Sequence, residues 1–171
     1  MDHNPVGQES WYAIRTRSRH EKSVVRMLEE RGVTTFLPLV NQLRRWSDRQ
    51  KMVQFPLFSG YAFVRMAYEP GSRLAVLQTD GVVNFVGTHG QGVPIPDEQI
   101  ETIQTILKGD LLIESHPYLK IGQRVRLRGG SLDGVEGILV AKKGHHMLVI
   151  SVELIQRSMA IQVDGYQVGP A

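Results

Sequence analysis

The chain opens, after ten mostly polar residues, on WYAIRT (11–16), whose aromatic and β-branched content predicts a strand that begins a sheet. Ser18-x-x-Glu21 then matches a capping box. Val24, Met27 and Leu28 follow at helical spacing, with Gly32 placed to end the helix. A short strand is predicted over 33–37, closed by Pro38. Residues 40–55 carry a polar centre, Ser47-Asp48-Arg49-Gln50, between two extended arms, which predicts a β-hairpin bearing basic groups and Trp46. In 56–66 (PLFSGYAFVRM) Phe58, Tyr61 and Phe63 fall within six positions around Gly60, where the chain can bend. A short helix from Pro70 through Leu77, a strand over 82–86 and a GTHGQG loop come next. A third helix follows, capped by Asp97, with Ile100, Ile103 and Leu107 on one face and Gly109 at its end.

Residues 109–119 lack a clear period and contain Pro117, so a linker is expected there. Beyond it the pattern is all strand. Arg124-Val125-Arg126-Leu127-Arg128 alternates strictly, burying two apolar residues and setting three arginines on the opposite face. Gly129-Gly130 and the pair Gly134 and Gly137 mark tight turns. About five short strands at this spacing predict a small barrel.

Composition bounds the chemistry more than the fold. The 171 residues are 42% hydrophobic and 22% charged, an ordinary globular mix sufficient for one domain or two small ones. There is no cysteine, which excludes disulfides, thiolate metal sites and a cysteine nucleophile. No run approaches the roughly 18 apolar residues of a membrane span, and the N-terminus has no apolar signal core. A cytoplasmic location is therefore expected. The net charge is only +3, but basic residues cluster at Arg15, Arg17, Arg19, His20 and Lys22, and again at Arg44, Arg45, Arg49 and Lys51. Such clusters suit phosphate contacts, although a solvated face is the commoner use.

Catalytic patterns are missing: no phosphate-binding P-loop, no dinucleotide fingerprint, no nucleophile elbow and no zinc helix occurs. His145-His146 is the one histidine pair, and neighbours in a strand point to opposite faces, so a shared metal is not expected. Asp97, Glu98 and Glu101 lie at a helix start, where negative charge suits the macrodipole. An enzyme is not expected.

WYAIRTRSRHEKSV, PLFSGYAFVRM, DGVVNFVG with VPIPDEQI, and KIGQRVRLRGGSLDGVEGILV occur in the order found in the NusG family of transcription elongation factors, which the chain resembles over nearly its whole length. PLFSGYAFV and RRWSDRQK resemble its operon-dedicated paralogues, the RfaH and UpxY-type antiterminators, with Ser59 standing where proline is usual. The resemblance implies an α+β fold: an N-terminal (NGN) antiparallel sheet flanked by helices over 1–108, a linker over 109–119, and a KOW barrel of SH3-like form over 120–171. It implies docking on the clamp helices of the largest RNA polymerase subunit through Phe58, Tyr61, Phe63 and Phe85. It also implies contact with the non-template DNA strand through Arg17, Arg19, His20 and Lys22, to which the hairpin's Arg44, Arg45, Trp46 and Arg49 would add. Asp80 departs from relatives that carry a basic residue before the Gly81-Val82 pair.

Gly122, Val125, Gly134 and Gly137 match the KOW motif. That domain binds a small-subunit ribosomal protein or the termination factor Rho in the family. The stripe Arg124, Arg126 and Arg128 reads as a solvated strand face, with RNA or a ribosomal protein as the alternative use. A monomer without metal or cofactor is implied, acting against pausing or termination, and the barrel is expected to have no stable helical form. The rival reading is a ribosome-associated RNA-binding KOW protein.

Overall fold

The computed structural model describes residues 7–109, 113–116, 123–142, 144–164 and 166–171. In chain order its elements are β1 (Glu9–Thr16), α1 (Glu21–Glu30), β2 (Thr34–Phe36), β3 (Leu39–Trp46), β4 (Arg49–Pro56), β5 (Tyr61–Ala67), α2 (Pro70–Leu77), β6 (Val82–Phe85), β7 (Gly87–Thr88), β8 (Gln91–Gly92), α3 (Asp97–Leu107), β9 (Ile113–His116), β10 (Arg124–Arg128), β11 (Glu136–Lys142), β12 (His145–Val152), β13 (Arg157–Gln162) and β14 (Gln167–Pro170). They divide into two compact units, one made of residues up to Pro38 with Phe58–Ile100, the other of Leu39–Leu57 with Glu101–Ala171. Among the described residues no helix is long and apolar enough to cross a membrane.

The first unit is built on a four-stranded sheet in the order β2-β5-β1-β6. Its alternation sorts side chains onto two faces. Tyr12, Ile14, Ala62, Val64, Met66 and Phe85 form one face and pack with Val24 and Leu28 of α1 and Val76 of α2 as a buried core. Trp11, Ala13, Phe36 and Phe63 share the other, where Phe36 stacks on Phe63 at 6.0 Å between centroids and meets Trp11 edge-on at 6.4 Å. Both faces are thus apolar, so the sheet reads as a mixture of strand alternation and near-continuous hydrophobic run.

Helix α1 starts later than the capping box predicts. His20 occupies the cap position in a helical conformation without a side-chain cap bond, and Glu21 is buried. At its far end Gly32 (φ +81°) and Val33 donate to the carbonyls of Glu29 and Leu28, so the expected glycine stop forms. The GTHGQG segment, expected as a loop, closes into the small β7-β8 hairpin. His89 and Gly90 both have positive φ, the geometry of the tight turns that suit a hairpin's twist. On α3 the buried residues are Ile100, Ile103 and Ile106; Leu107, expected in that row, is only partly covered.

In the second unit β3 and β4 form the predicted hairpin. The barrel strands order as β14-β10-β11-β12-β13-β9. Strand β9 lies inside the segment expected to be a linker: residues 113–116 pair antiparallel with β13 and add a sixth strand to the five expected. The barrel core includes Val125, Leu127, Leu148, Val149, Ala160 and Ile161, all nearly inaccessible to solvent.

Candidate functional site

Three places gather the residues singled out in the sequence. The first is the end of the aromatic sheet face. Tyr61 begins β5 and lies opposite Arg15 of β1, which in turn lies opposite Asn84 of β6, so the three form one row across the sheet. Tyr61 is half-buried and Arg15 exposed. The expectation that Phe58, Phe63 and Phe85 present surface is corrected by their burial, at 2%, 0% and 2% exposure. Phe85 faces the helices beside Tyr12 on the opposite side of the sheet, and Phe63 is stacked under Phe36, so Tyr61 carries the accessible edge of the aromatic face. Position along the strand is the reason for Phe63, which shares the face of Tyr61 but sits two residues further into the sheet, whereas Phe85 points to the opposite face, covered by the helices.

The bend before Tyr61 is a tight turn. The Tyr61 N–H donates to the Phe58 carbonyl at 3.1 Å, and Gly60 takes φ +82° at the third position, where a turn of this type requires a positive φ. Gly60 is held from both sides. Its carbonyl accepts from the Thr16 N–H at 2.9 Å, and its N–H donates to the buried Glu21 carboxylate at 2.8 Å.

The second place is the entrance of α1. The Arg17 N–H donates to the Gly81 carbonyl at 2.8 Å, which joins the β1-α1 turn to the loop before β6. Through that contact Asp80 comes within 3.6 Å of the Arg17 guanidinium, both side chains being mostly exposed. Arg19 holds a positive φ of 66°. The His20 Nδ1–H donates to the Ser18 carbonyl at 2.9 Å, which selects that tautomer and leaves Nε2 as the acceptor of the neutral ring. Arg17, Arg19 and His20 therefore share one turn, with Lys22 following in the first turn of α1 and Asp80 as the acid beside Arg17.

The third place is the β3-β4 hairpin. Its register puts Trp46 opposite Arg49 and Arg44 opposite Lys51, with Val40 and Phe55 further down the same face. Arg44 lies 4.5 Å over the Phe55 ring and Arg49 5.4 Å from the Trp46 ring, while half of Trp46 remains exposed. Arg45 pairs with Gln50 on the opposite face, together with the exposed pair Leu43 and Met52. The four hairpin residues expected to act together are thus divided three to one. Lys51 and Phe55, not singled out as site residues, complete the cationic and aromatic face; period-two alternation through the hairpin turn is the signal that finds them.

In the barrel the arginine stripe is partly neutralised. Glu136 of β11 accepts from Arg126 Nε at 2.8 Å and Nη2, and from Arg124 Nη2 at 3.3 Å. Its carboxyl is held below the ordinary range, first by the Arg126 hydrogen bond. His145 and His146 do not diverge as strand neighbours would: both Nδ1 atoms face Asp164, at 2.9 and 3.4 Å, because His145 begins β12 beside the loop after β13. The Asp164 carboxyl is also lowered, chiefly by the His146 backbone N–H and then by the His145 ring. Among the described residues no group of three or more His, Asp or Glu is placed to hold a metal.

Of the KOW-motif residues, Val125 is core and Gly134 (φ +85°) donates its N–H to Leu127, closing a turn; Gly122 lies outside the described residues. Gly137 is no turn residue. It lies within β11, where a Cβ would stand 2.5 Å from the Val149 carbonyl oxygen, so close strand packing explains it.

Comparison with known proteins agrees with this architecture. The family model described as NusG, transcription termination factor, matches residues 9–104. Termination/antitermination proteins NusG from Borreliella burgdorferi and Lactococcus lactis are each 26% identical; the alignments cover 91% and 98% of this chain and 95% and 96% of the relatives. Staphylococcus aureus NusG is also 26% identical, over 95% of this chain and 96% of its own. A solved structure of Thermotoga maritima NusG superposes with a TM-score of 0.57 at 20% identity, covering 91% of this chain and 93% of that one. The extended match to the family model, on a two-faced sheet followed by a β-barrel, places the chain in the NusG family of transcription termination/antitermination factors.

Proposed function

We propose that the protein is a monomeric, non-enzymatic, operon-dedicated antiterminator that docks on RNA polymerase. Tyr61 is the leading contact with the clamp helices of the largest subunit. Phe58 and Phe63 form the packed base beside it, and Phe85 stiffens the sheet from its other, helix-covered face. The observation that carries this reading is the placement of Tyr61: a pinned turn sets an accessible aromatic at the end of an aromatic sheet face. Aromatic side chains with a rigid base bury much area at small entropic loss, the property of interface anchors.

The cationic groups suit the second contact. Arg17, Arg19, His20 and Lys22 face phosphates of the exposed non-template strand, and Arg44, Arg49 and Trp46 supply charge and a stacking platform for an unpaired base. Arg45, on the other hairpin face, lies outside that contact. The C-terminal barrel, β9 included, recruits a small-subunit ribosomal protein or Rho. Holding both polymerase and displaced DNA favours the closed, pause-resistant state by preferential binding to it. The operon-dedicated assignment is supported by PLFSGYAFV and the hairpin run RRWSDRQK.

The test is binding of the wild type and Tyr61→Ala to a bacterial RNA polymerase elongation complex, with pause lifetimes read on one long template. The wild type is expected to bind and shorten pauses, and Tyr61→Ala to bind about tenfold or more weakly, as loss of an aromatic anchor does. A wild type that ignores the complex but is retained on ribosomal RNA overturns the reading in favour of the ribosome-associated one.

A further inference from the structure

We propose that Glu21 is a positioning residue for docking: its buried carboxylate holds the Gly60 backbone and so sets where Tyr61 stands, an inference that rests on the polymerase-docking reading above.

A glutamate in the first turn of a surface helix ordinarily stays in water, where it favours the positive end of the helix dipole. Glu21 occupies that position yet is only 4% exposed. A carboxylate taken out of water needs donors in return. The donor here comes from 39 residues along the chain, the Gly60 N–H at 2.8 Å. With the Gly60 carbonyl already bonded to the Thr16 N–H, both backbone groups of one residue are fixed by the two elements that flank the α1 entrance.

That residue is the one that needs fixing. Gly60 has φ +82° and the widest conformational choice of any residue type, while Ser59 before it lacks the preset φ that proline brings to the second position of such a turn. The turn's own hydrogen bond, Tyr61 N–H to Phe58 carbonyl, is 3.1 Å long. To that bond the structure adds two more from outside the turn, one from β1 and one from Glu21. The core contacts of α1 run through Val24 and Leu28, one turn and two turns further on, so the carboxylate has a task separate from helix docking.

The experiment uses the full chain with Glu21→Gln, which keeps an acceptor oxygen, and Glu21→Met, which matches the size and lacks one. Both are compared with the wild type and Tyr61→Ala. Amide hydrogen exchange at Gly60 and affinity for the elongation complex are measured below the melting transition of every variant. Glu21→Met is expected to lose the Gly60 protection and to bind about tenfold more weakly, the loss of one hydrogen bond. Glu21→Gln should keep the protection and bind within about twofold of the wild type, a rescue that a purely charge-based or volume-based role does not give. Glu21→Gln folded but as weak as Glu21→Met, or Glu21→Met binding as the wild type does, overturns the inference. Tyr61→Ala binding like the wild type overturns the docking reading instead, and Gly60 protection then decides the Glu21 contact by itself.

Discussion

Glu136 and Asp164 show how single residues of the barrel read its surroundings. Each is exposed enough that its partners matter more through geometry than through burial, and each carboxyl is held below its ordinary value. A carboxylate with a depressed folded-state pKa adds stability above the unfolded value, about 4 for these groups, and loses it as pH falls through the lower folded value. Thermal midpoints of the wild type are thus expected to drop on acidification from about pH 5 to about pH 3 more steeply than those of Glu136→Gln, which has no proton to gain there. Parallel curves would show that the Arg124 and Arg126 contacts do not persist in solution. The same pairing bears on function. With Glu136 bound to Arg124 and Arg126, two arginines of the β10 stripe are already engaged, while Arg128 lies opposite Gln167 of β14.

Among elements, the hairpin and β11 separate what alternation alone reveals from what it hides. The hairpin's arms, its polar centre and its basic groups are legible because period-two patterning needs only local sequence. Dividing Arg44, Trp46 and Arg49 from Arg45 requires the register as well. On single-stranded DNA, Trp46→Ala and Arg44→Ala are each expected to weaken binding, the former by roughly 1–3 kcal/mol, a stacked base's contribution. Arg45→Ala should leave binding nearly unchanged, as a filter or fluorescence titration would report. Gly137 illustrates the hidden kind of constraint. Its sequence neighbours suggest a turn, whereas the reason for glycine is the Val149 carbonyl of the adjacent strand, visible only after pairing. Gly137→Ala is accordingly expected to lower stability by about 1–3 kcal/mol in urea unfolding, as overpacking does. The burial of Phe58, Phe63 and Phe85 is hidden in the sequence for a related reason. A sheet covered on both faces has no polar alternation to mark which rings lie inside. The capping box failed because Glu21 found a partner across the fold that outweighed the local one.

Across the whole molecule the two proposed contacts differ in kind, and salt separates them. Docking through Tyr61 is chiefly apolar and should vary little with ionic strength. Phosphate contacts release counterions, so the logarithm of affinity falls with the logarithm of salt by about 0.7 per contact on a single strand. Replacing Arg17, Arg19 and Lys22 together by alanine should therefore flatten the salt dependence of elongation-complex binding by about 2 in slope. Tyr61→Ala, by contrast, should lower affinity at every salt concentration and leave the slope as it was. Asp80 opposes this contact from within. Its pairing with Arg17 at 3.6 Å, between largely exposed side chains, is weak enough to yield to a phosphate but adds like-charge repulsion beside it. Asp80→Asn is then expected to raise affinity most at low salt and to steepen the slope. If the triple variant keeps the wild-type slope, the α1 entrance is a solvated face and the displaced strand must be held by the hairpin, which the Trp46 and Arg44 variants would then show by carrying the whole salt-dependent loss.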